Sequence, residues 1–244
     1  MRKKAVAIVQ ARMGATRLPG KVMMDLAGEP MLVRVVNRVR GACRLDDVVV
    51  ATTTNRDDDP IVDLCRVRGW PVFRGSAEDV LDRYYQSAVA HDAGAVVRLS
   101  SDCPLIDPKV IDAVVGEFQS HYPDVDYVSN NIQRTFPLGL DVEAISFDAL
   151  ERAWKEDKNP SWREHVTPYI YRHPERFRIR NVANDVDYSH MRWTVDTAED
   201  LAFVRRIYDH FGGDDFGWRD VLTLLEAHPE WLEITLQVRQ KLVP

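Results

Sequence analysis

The junction between an apolar run, Ala5 to Val9, and the basic loop RMGATRLPGK, Arg12 to Lys21, constrains the fold more than any other part of the chain. In an α/β protein a strand delivers such a loop to the carboxyl edge of the sheet. There Gly14 and Gly20 let the backbone approach an anion while Arg12, Arg17 and Lys21 neutralise its oxygens. The first 24 residues hold six basic and no acidic side chains, and the remaining 220 carry 26 basic and 38 acidic ones, so the positive field is local. An ordinary solvated loop is the competing reading. The loop has neither the GxGxxG of dinucleotide sites nor the GxxxxGK[ST] of P-loops.

Beyond the loop, strands and helices alternate, which argues for a parallel sheet with crossover helices. Strands are expected at Ala5 to Val9, Val48 to Thr52, Val72 to Phe73 and Ala95 to Leu99. Helices are expected from Pro30 to Arg40, from Pro60 to near Gly69, from the Ser76 and Asp79 cap to about His91, and from Pro108 to about His121. The second half reads as mixed α+β, with strands at Val125 to Ser129, Asp141 to Ile145, Phe177 to Val182 and Arg192 to Val195. Its helices are expected at Phe147 to Trp154, Ser161 to Arg172, Ala198 to Phe211 and Gly217 to Ala227, with Ser161 and Glu164 fitting a capping box. The tail from Pro229, with Trp231, Leu232, Ile234, Leu236 and Val238, is too apolar to float freely and is expected on the domain or in a dimer contact.

At 244 residues, 45% hydrophobic and 29% charged, the chain suits one large α/β domain. A net charge of −6 argues against broad nucleic-acid binding, which needs a sizeable basic face. Three cysteines, Cys43, Cys65 and Cys103, are an odd set without CxxC spacing, so neither a disulfide framework nor a zinc site is expected. No segment approaches the ~20 apolar residues of a membrane span, and the apolar run near the N-terminus is too short for a signal-peptide core. A reduced, cytoplasmic protein without membrane insertion is the expectation.

Several of these segments, in order, resemble one family. RMGATRLPGK, LAGEPML, VATTTNRDDDPI, FRGSAEDVLDRY, VRLSSDCPLIDP, GLDVEAIS, REHVTPYI and RWTVDTAEDL look like the signatures of cytidylyltransferases that make CMP-sugars. That group holds the CMP-3-deoxy-manno-octulosonate and CMP-sialic acid synthetases, and the chain is most similar to the spore-coat polysaccharide biosynthesis protein F-like branch. The resemblance runs almost the whole chain. It implies a Rossmann-like (GT-A-like) nucleotidyltransferase domain with a mixed, mainly parallel sheet. Residues 1–122 would form the nucleotide-binding half and 123–244 the acceptor-binding and dimer-contact half of a homodimer. The implied reaction transfers CMP from CTP to a sialic-acid-like 2-keto-3-deoxy sugar acid, releases pyrophosphate and serves surface-glycan synthesis. Other readings are a sugar-phosphate or phosphonate nucleotidyltransferase, a glycosyltransferase of similar fold, or a nucleotide-sugar-binding protein without turnover.

The resemblance distributes roles over these residues. Arg12, Gly14, Thr16, Arg17, Lys21 and Ser76 would contact CTP, and Arg12, Lys21, Asp102 and Asp196 would carry catalysis. Asp102 lies just past an expected strand, near the phosphate loop, and Asp196 follows another. Two aspartates from distant segments suffice for Mg2+, which takes one or two carboxylates plus phosphate oxygens and waters. Each also reads as a helix cap. Thr197 with Asp200 matches a capping pair, which leaves Asp200 out of the metal set, and Asp107 reads as an N-cap. Ser100 and Ser101 depart from the glycine and acidic residues that some relatives place before this aspartate. Arg83 is either a base contact or a solvent-facing arginine, and Thr52, Thr53 and Thr54 are ribose contacts or turn formers. Asp141 and Glu143 share a face in an alternating strand and either bind sugar hydroxyls or face solvent. Arg163 and His165 belong to the implied acceptor-binding helix, where an arginine fork suits a sugar-acid carboxylate; the bland reading there is a capped amphipathic helix with His165 in the core. No GxSxG occurs. Nucleotidyl transfer needs no enzyme nucleophile, because a substrate hydroxyl attacks the α-phosphorus while cations stabilise the charge.

Overall fold

A computed structural model describes residues 3–240. The first half alternates as expected apart from one added hairpin: β1 (Ala5–Gln10), the unexpected short hairpin of β2 (Asp25–Leu26) and β3 (Glu29–Pro30), α1 (Met31–Arg40), β4 (Asp47–Thr53), α2 (Asp59–Arg68), β5 (Val72–Gly75), α3 (Val80–Ala90), β6 (Ala95–Ser100) and α4 (Pro108–His121). The second half holds β7 (Tyr127–Ser129), β8 (Glu143–Ser146), α5 (Phe147–Glu156), α6 (Pro160–His165), α7 (Pro168–Tyr171), β9 (Ile179–Asn181), α8 (Ala198–Phe211) and α9 (Trp218–Ala227). A 3-10 turn over Pro229–Thr235 follows α9.

The main sheet has seven strands in the order β5-β4-β1-β6-β8-β7-β9, and β8 alone runs against the rest. The Rossmann-like, mixed and mainly parallel sheet is therefore present. From β1 the chain steps outward through β4 to β5, then returns to place β6 on the other side of β1. Where strand order reverses, the two following loops part and leave a crevice at the carboxyl edge. Gln10 pairs with Ser100, so the basic loop and the Asp102 loop leave the sheet side by side.

β1 is covered on both faces, as a central parallel strand must be. Ala5, Ala7 and Val9 pack with α1, α4, α8 and α9, while Val6 and Ile8 pack with α3, α5 and α7. Within the described residues the tail packs on the domain through Trp231, Leu232 and Ile234, half-buried against the first of these cores beside α8 and α9, while Leu236 is exposed. Among the described residues no helix is long and apolar enough to cross a membrane.

Among the strands expected in the second half, β7 and β9 are shorter than expected and β8 begins at Glu143, which leaves Asp141 before the strand instead of alternating with Glu143 within it. Two further expected elements change character. The helix expected over Ser161–Arg172 is broken into α6 and α7, with Val166 at φ +71° between them. Pro168 has no N–H to donate back into α6 and its ring crowds the preceding turn, so it opens a new helix instead. The cap of α6 is Asn159, which accepts the Ser161 N–H at 3.0 Å, rather than a Ser161–Glu164 box. The strand expected over Arg192–Val195 is a segment outside the sheet, and its one isolated bridge, Leu138 to Arg192, also lies outside the strands. Its N–H groups bond to loops rather than to a strand: Trp193 donates to the Leu138 carbonyl and Val195 to that of Asp102, at 2.7 and 2.8 Å.

Candidate active site

The basic loop is pinned at both ends by the backbone around it. The Ala11 N–H donates to the Ala51 carbonyl at 3.0 Å, and the Gly20 N–H returns to Met13 at 2.8 Å. Gly20 sits at φ +71°, where a side chain would be strained, and it turns the chain into a 3-10 turn opened by Lys21. Asp58, buried under α2, accepts the Met13 N–H at 2.6 Å and the Thr53 hydroxyl. This anchor has no signature in the sequence. Three consecutive aspartates, Asp57, Asp58 and Asp59, give no reason to choose one, and only the fold buries the middle one.

Lys21 is the centre of the site. Its ammonium donates to Asp102 Oδ2 at 3.0 Å, to Asp196 Oδ1 at 3.0 Å and to the Val195 carbonyl at 2.6 Å. Burial alone would lower the Lys21 pKa, but the two carboxylates outweigh it and the net shift is upward. Burial likewise pushes Asp196 up, and the charges of Lys21, Arg192 and Arg17 more than reverse this, so its carboxyl titrates below the ordinary range. Asp196 Oδ2 takes Arg17 at 2.8 Å and Arg192 at 2.9 Å. Asp102 Oδ1 accepts the Ser100 hydroxyl at 2.5 Å, which gives the serine preceding that loop a defined task.

These residues stand at one end of a cleft of roughly 700 Å³. Arg12, Thr16, Arg17, Lys21, Asp102, Asp196 and Arg83 line it on the side of β1 and β6, and Asp141, Glu143 and His165 line its other side. The guanidinium of Arg12 approaches Glu164 of α6 across the opening at 3.9 Å. Glu143 is spent within the wall, accepting from Tyr127, Arg98 and Thr167, and is buried. Asp141 pairs with Arg134, and burial nevertheless leaves its pKa raised. Burial, and then the charge of Arg98, holds the His165 pKa below its usual value, so the imidazole is neutral at neutral pH.

Gly14, Ser76 and Arg163 are not brought to this cleft. The Ser76 hydroxyl accepts the Asp79 N–H at 2.9 Å and so supports the start of α3. Arg163 turns away from the cleft: its Nε and Nη2 meet Asp79 Oδ2 at 2.8 and 2.7 Å, and its Nη1 donates to the carbonyls of Trp154 and Asp157, each at 2.9 Å. The arginine joins the start of α3 to the end of α5. Asp200 caps α8 in a box with Thr197, and Asp107 does more than cap α4, because its Oδ2 also accepts the Trp218 N–H of α9 at 2.7 Å. Among the described residues no three His, Cys, Asp or Glu side chains gather as a metal cluster; the two carboxylates that meet at Lys21 are those of Asp102 and Asp196.

The family model for cytidylyltransferases matches residues 6–209. The chain is 37% identical over 240 residues to an uncharacterized protein of Methanocaldococcus jannaschii, covering 98% of this chain and 97% of that one. It is 32% identical over 231 residues to the spore coat polysaccharide biosynthesis protein SpsF of Bacillus subtilis, covering 91% and 94%. Its structure is similar to that of a cytidylyltransferase from Leptospira borgpetersenii, with a TM-score of 0.91, 32% identity, and 98% and 99% of the two chains covered. A CMP:2-keto-3-deoxy-manno-octonic acid synthetase solved with CTP shares the fold at a TM-score of 0.66 and 20% identity, over 85% of this chain and 99% of that one. With a basic loop, its lysine and two aspartates converging at the sheet's switch point, the chain belongs to the cytidylyltransferase family and is a CTP-dependent nucleotidyltransferase.

Proposed function

We propose that this protein transfers CMP from CTP to a 2-keto-3-deoxy sugar acid, releasing pyrophosphate, with Mg2+ as its cofactor. The observation that carries the reading is the convergence of Asp102 and Asp196 on one cationic point, the Lys21 ammonium, beside a loop that adds Arg12 and Arg17. The donor set fits a hard divalent ion, because two carboxylate oxygens lie 3.0 Å from a common positive centre and open onto a cleft that would supply phosphate oxygens. When bound through Asp102 and Asp196, Mg2+ supplies charge neutralisation at the α-phosphoryl group and the pyrophosphate.

The protein's own residues do the rest. Arg12, Arg17 and Lys21 grip the triphosphate, and the Asp58 anchor keeps their loop in place. The acceptor's hydroxyl oxygen bonds to the α-phosphorus, the bond from that phosphorus to the β-phosphate oxygen breaks, and the hydroxyl proton is lost to solvent. No side chain forms a covalent bond. On the acceptor side, neutral His165 and Asp141 offer hydrogen bonds to sugar hydroxyls. The acceptor carboxylate is assigned to Arg134 and Arg98, which line the cleft paired with Asp141 and Glu143 and would share those pairs with it, in place of Arg163. Support comes also from the relatives: SpsF is named for polysaccharide biosynthesis, and a 3-deoxy-manno-octulosonate cytidylyltransferase from Anaeromyxobacter dehalogenans is 44% identical over 119 residues, 48% of this chain. A homodimer acting in the cytoplasm completes the proposal, and three unpaired cysteines support the compartment.

The test is pyrophosphate release from CTP against a panel of nonulosonic and octulosonic acids, neutral sugars and sugar 1-phosphates, with and without Mg2+, alongside light scattering for the dimer. Mg2+-dependent release with a 2-keto acid is the expected result. Turnover with neutral sugars or sugar 1-phosphates while every 2-keto acid fails would overturn the acceptor assignment.

A further inference from the structure

Asp196 is held by three cations, and they are of two kinds. Lys21 and Arg17 belong to the phosphate loop. Arg192 does not: it comes from the extended segment just before Asp196, it is absent from the cleft lining, and its side chain is 9% exposed. Its guanidinium forks onto Asp200, Nε to Oδ1 at 2.8 Å and Nη2 to Oδ2 at 2.9 Å, and the same Nη2 reaches Asp196 Oδ2 at 2.9 Å. Asp200 is fully buried and also accepts the backbone N–H groups of Asp196 and Thr197 at 2.8 and 2.9 Å. One carboxylate therefore fixes both the backbone of Asp196 and the arginine that grips its side chain.

We propose that Arg192, locked by Asp200, is a positioning residue that aims Asp196 at the cation site. The role rests on the nucleotidyl-transfer reading of the cleft and on charge. Lys21, Arg17 and Arg192 face Asp102, Asp196 and Asp200, so the cluster is balanced as it stands. Triphosphate in the cleft competes for Lys21 and Arg17, the two cations that the loop carries to it. Arg192 is tied to a buried carboxylate outside the cleft and stays. It keeps Oδ2 occupied, and the oxygen freed by Lys21 is Oδ1, the one that already shares a cation with Asp102. Arg192→Lys keeps the charge but cannot hold Asp200 and Asp196 with one planar fork.

The experiment measures Mn2+ binding in the presence of CTP, by the loss of the free-ion spin signal, together with turnover and melting temperature. It compares the wild type with Arg192→Lys, Arg192→Gln, Asp196→Asn and the double variant Arg192→Gln/Asp196→Asn. Arg192→Gln is expected to raise the half-saturating Mn2+ concentration about tenfold, in the range seen when a ligand-orienting group is removed, with Arg192→Lys intermediate. In the Asp196→Asn background the same Arg192→Gln change is expected to alter Mn2+ binding by less than about twofold, because the group it acts through is gone. Equal losses in both backgrounds, or loss that follows only the melting temperature, would overturn the role. A wild-type protein that binds Mn2+ with CTP and an Arg192→Gln variant that binds it equally well overturns the inference alone. A wild-type protein that binds no Mn2+ with CTP overturns this inference and the reading beneath it.

Discussion

Lys21 shows how one residue serves structure and chemistry together. A buried ammonium is tolerable here because two carboxylates and a carbonyl surround it, and the same arrangement brings the aspartates to one point. Asp102→Asn keeps the shape and the Ser100 hydrogen bond while removing a charge. Turnover is expected to fall about a hundredfold or more with a melting temperature within a few degrees of the wild type; single-turnover kinetics and a melting curve check both. The pKa shifts set the pH limits of stability. Asp196 titrates below its unfolded value of 3.8, so its contribution is complete above that pH and is lost as pH falls from 3.8 through the lower folded pKa. Lys21 titrates above its unfolded value of 10.5, so its contribution is present below 10.5 and is lost as pH rises from there through the higher folded pKa. Denaturant midpoints measured against pH should therefore drop at both extremes, and Asp196→Asn should flatten the acid limb.

At the scale of elements, packing overrides local pattern in the segment from Ser161 to Arg172. Its sequence reads as one helix, yet Pro168 divides it and Arg163 is drawn inward to Asp79 and two carbonyls. An arginine on an amphipathic helix next to a suspected substrate pocket looks the same in sequence whether it faces the pocket or a neighbouring helix. Arg163→Ala leaves the Trp154 and Asp157 carbonyls without that donor and Asp79 without its cation. It should cost about 2 kcal/mol of stability, seen in urea unfolding, with an unchanged KM for the acceptor. The Asp196 segment depends on another close contact. Gly139 is at φ +113°, and a Cβ there would lie 2.7 Å from the Trp193 carbonyl carbon and 2.8 Å from the Thr194 nitrogen. Gly139→Ala is expected to cost about 3 kcal/mol and to lower turnover as well, because the displaced backbone carries Asp196.

At the scale of the molecule, the two halves share one sheet. β6 pairs with β1 on one side and with β8 on the other, and Lys21 of the first half is bonded to Val195 and Asp196 of the second. α8 and α9 cover the same face as α1 and α4. Calorimetry should show one cooperative transition, and a fragment of residues 1–122 should not reach native secondary structure, since it would expose the β8 edge of β6 and the face that α8 and α9 cover. Two separate transitions would show that the halves unfold independently.

Periodicity and punctuation were enough to determine most of the elements, because apolar spacing, Pro at helix starts and Gly at turns act over a few residues. α4 and α8 match their expected spans, and the four strands expected in the first half match to within a residue or two at each end, while the β2–β3 hairpin was not expected. The basic loop, Asp102 and Asp196 were legible as types of residue in a telling order. Their meeting was not, because 81 and 175 residues separate them from Lys21 and only the sheet's switch point closes that distance. Tertiary structure alone decided that Asp58 anchors the loop, that Glu143 is consumed by its neighbours, that Arg163 leaves the cleft, and that Arg192 and Asp200 stand behind Asp196. Each is a choice of partner for a buried polar group, and that choice depends on which distant donor or acceptor the fold carries within about 3 Å.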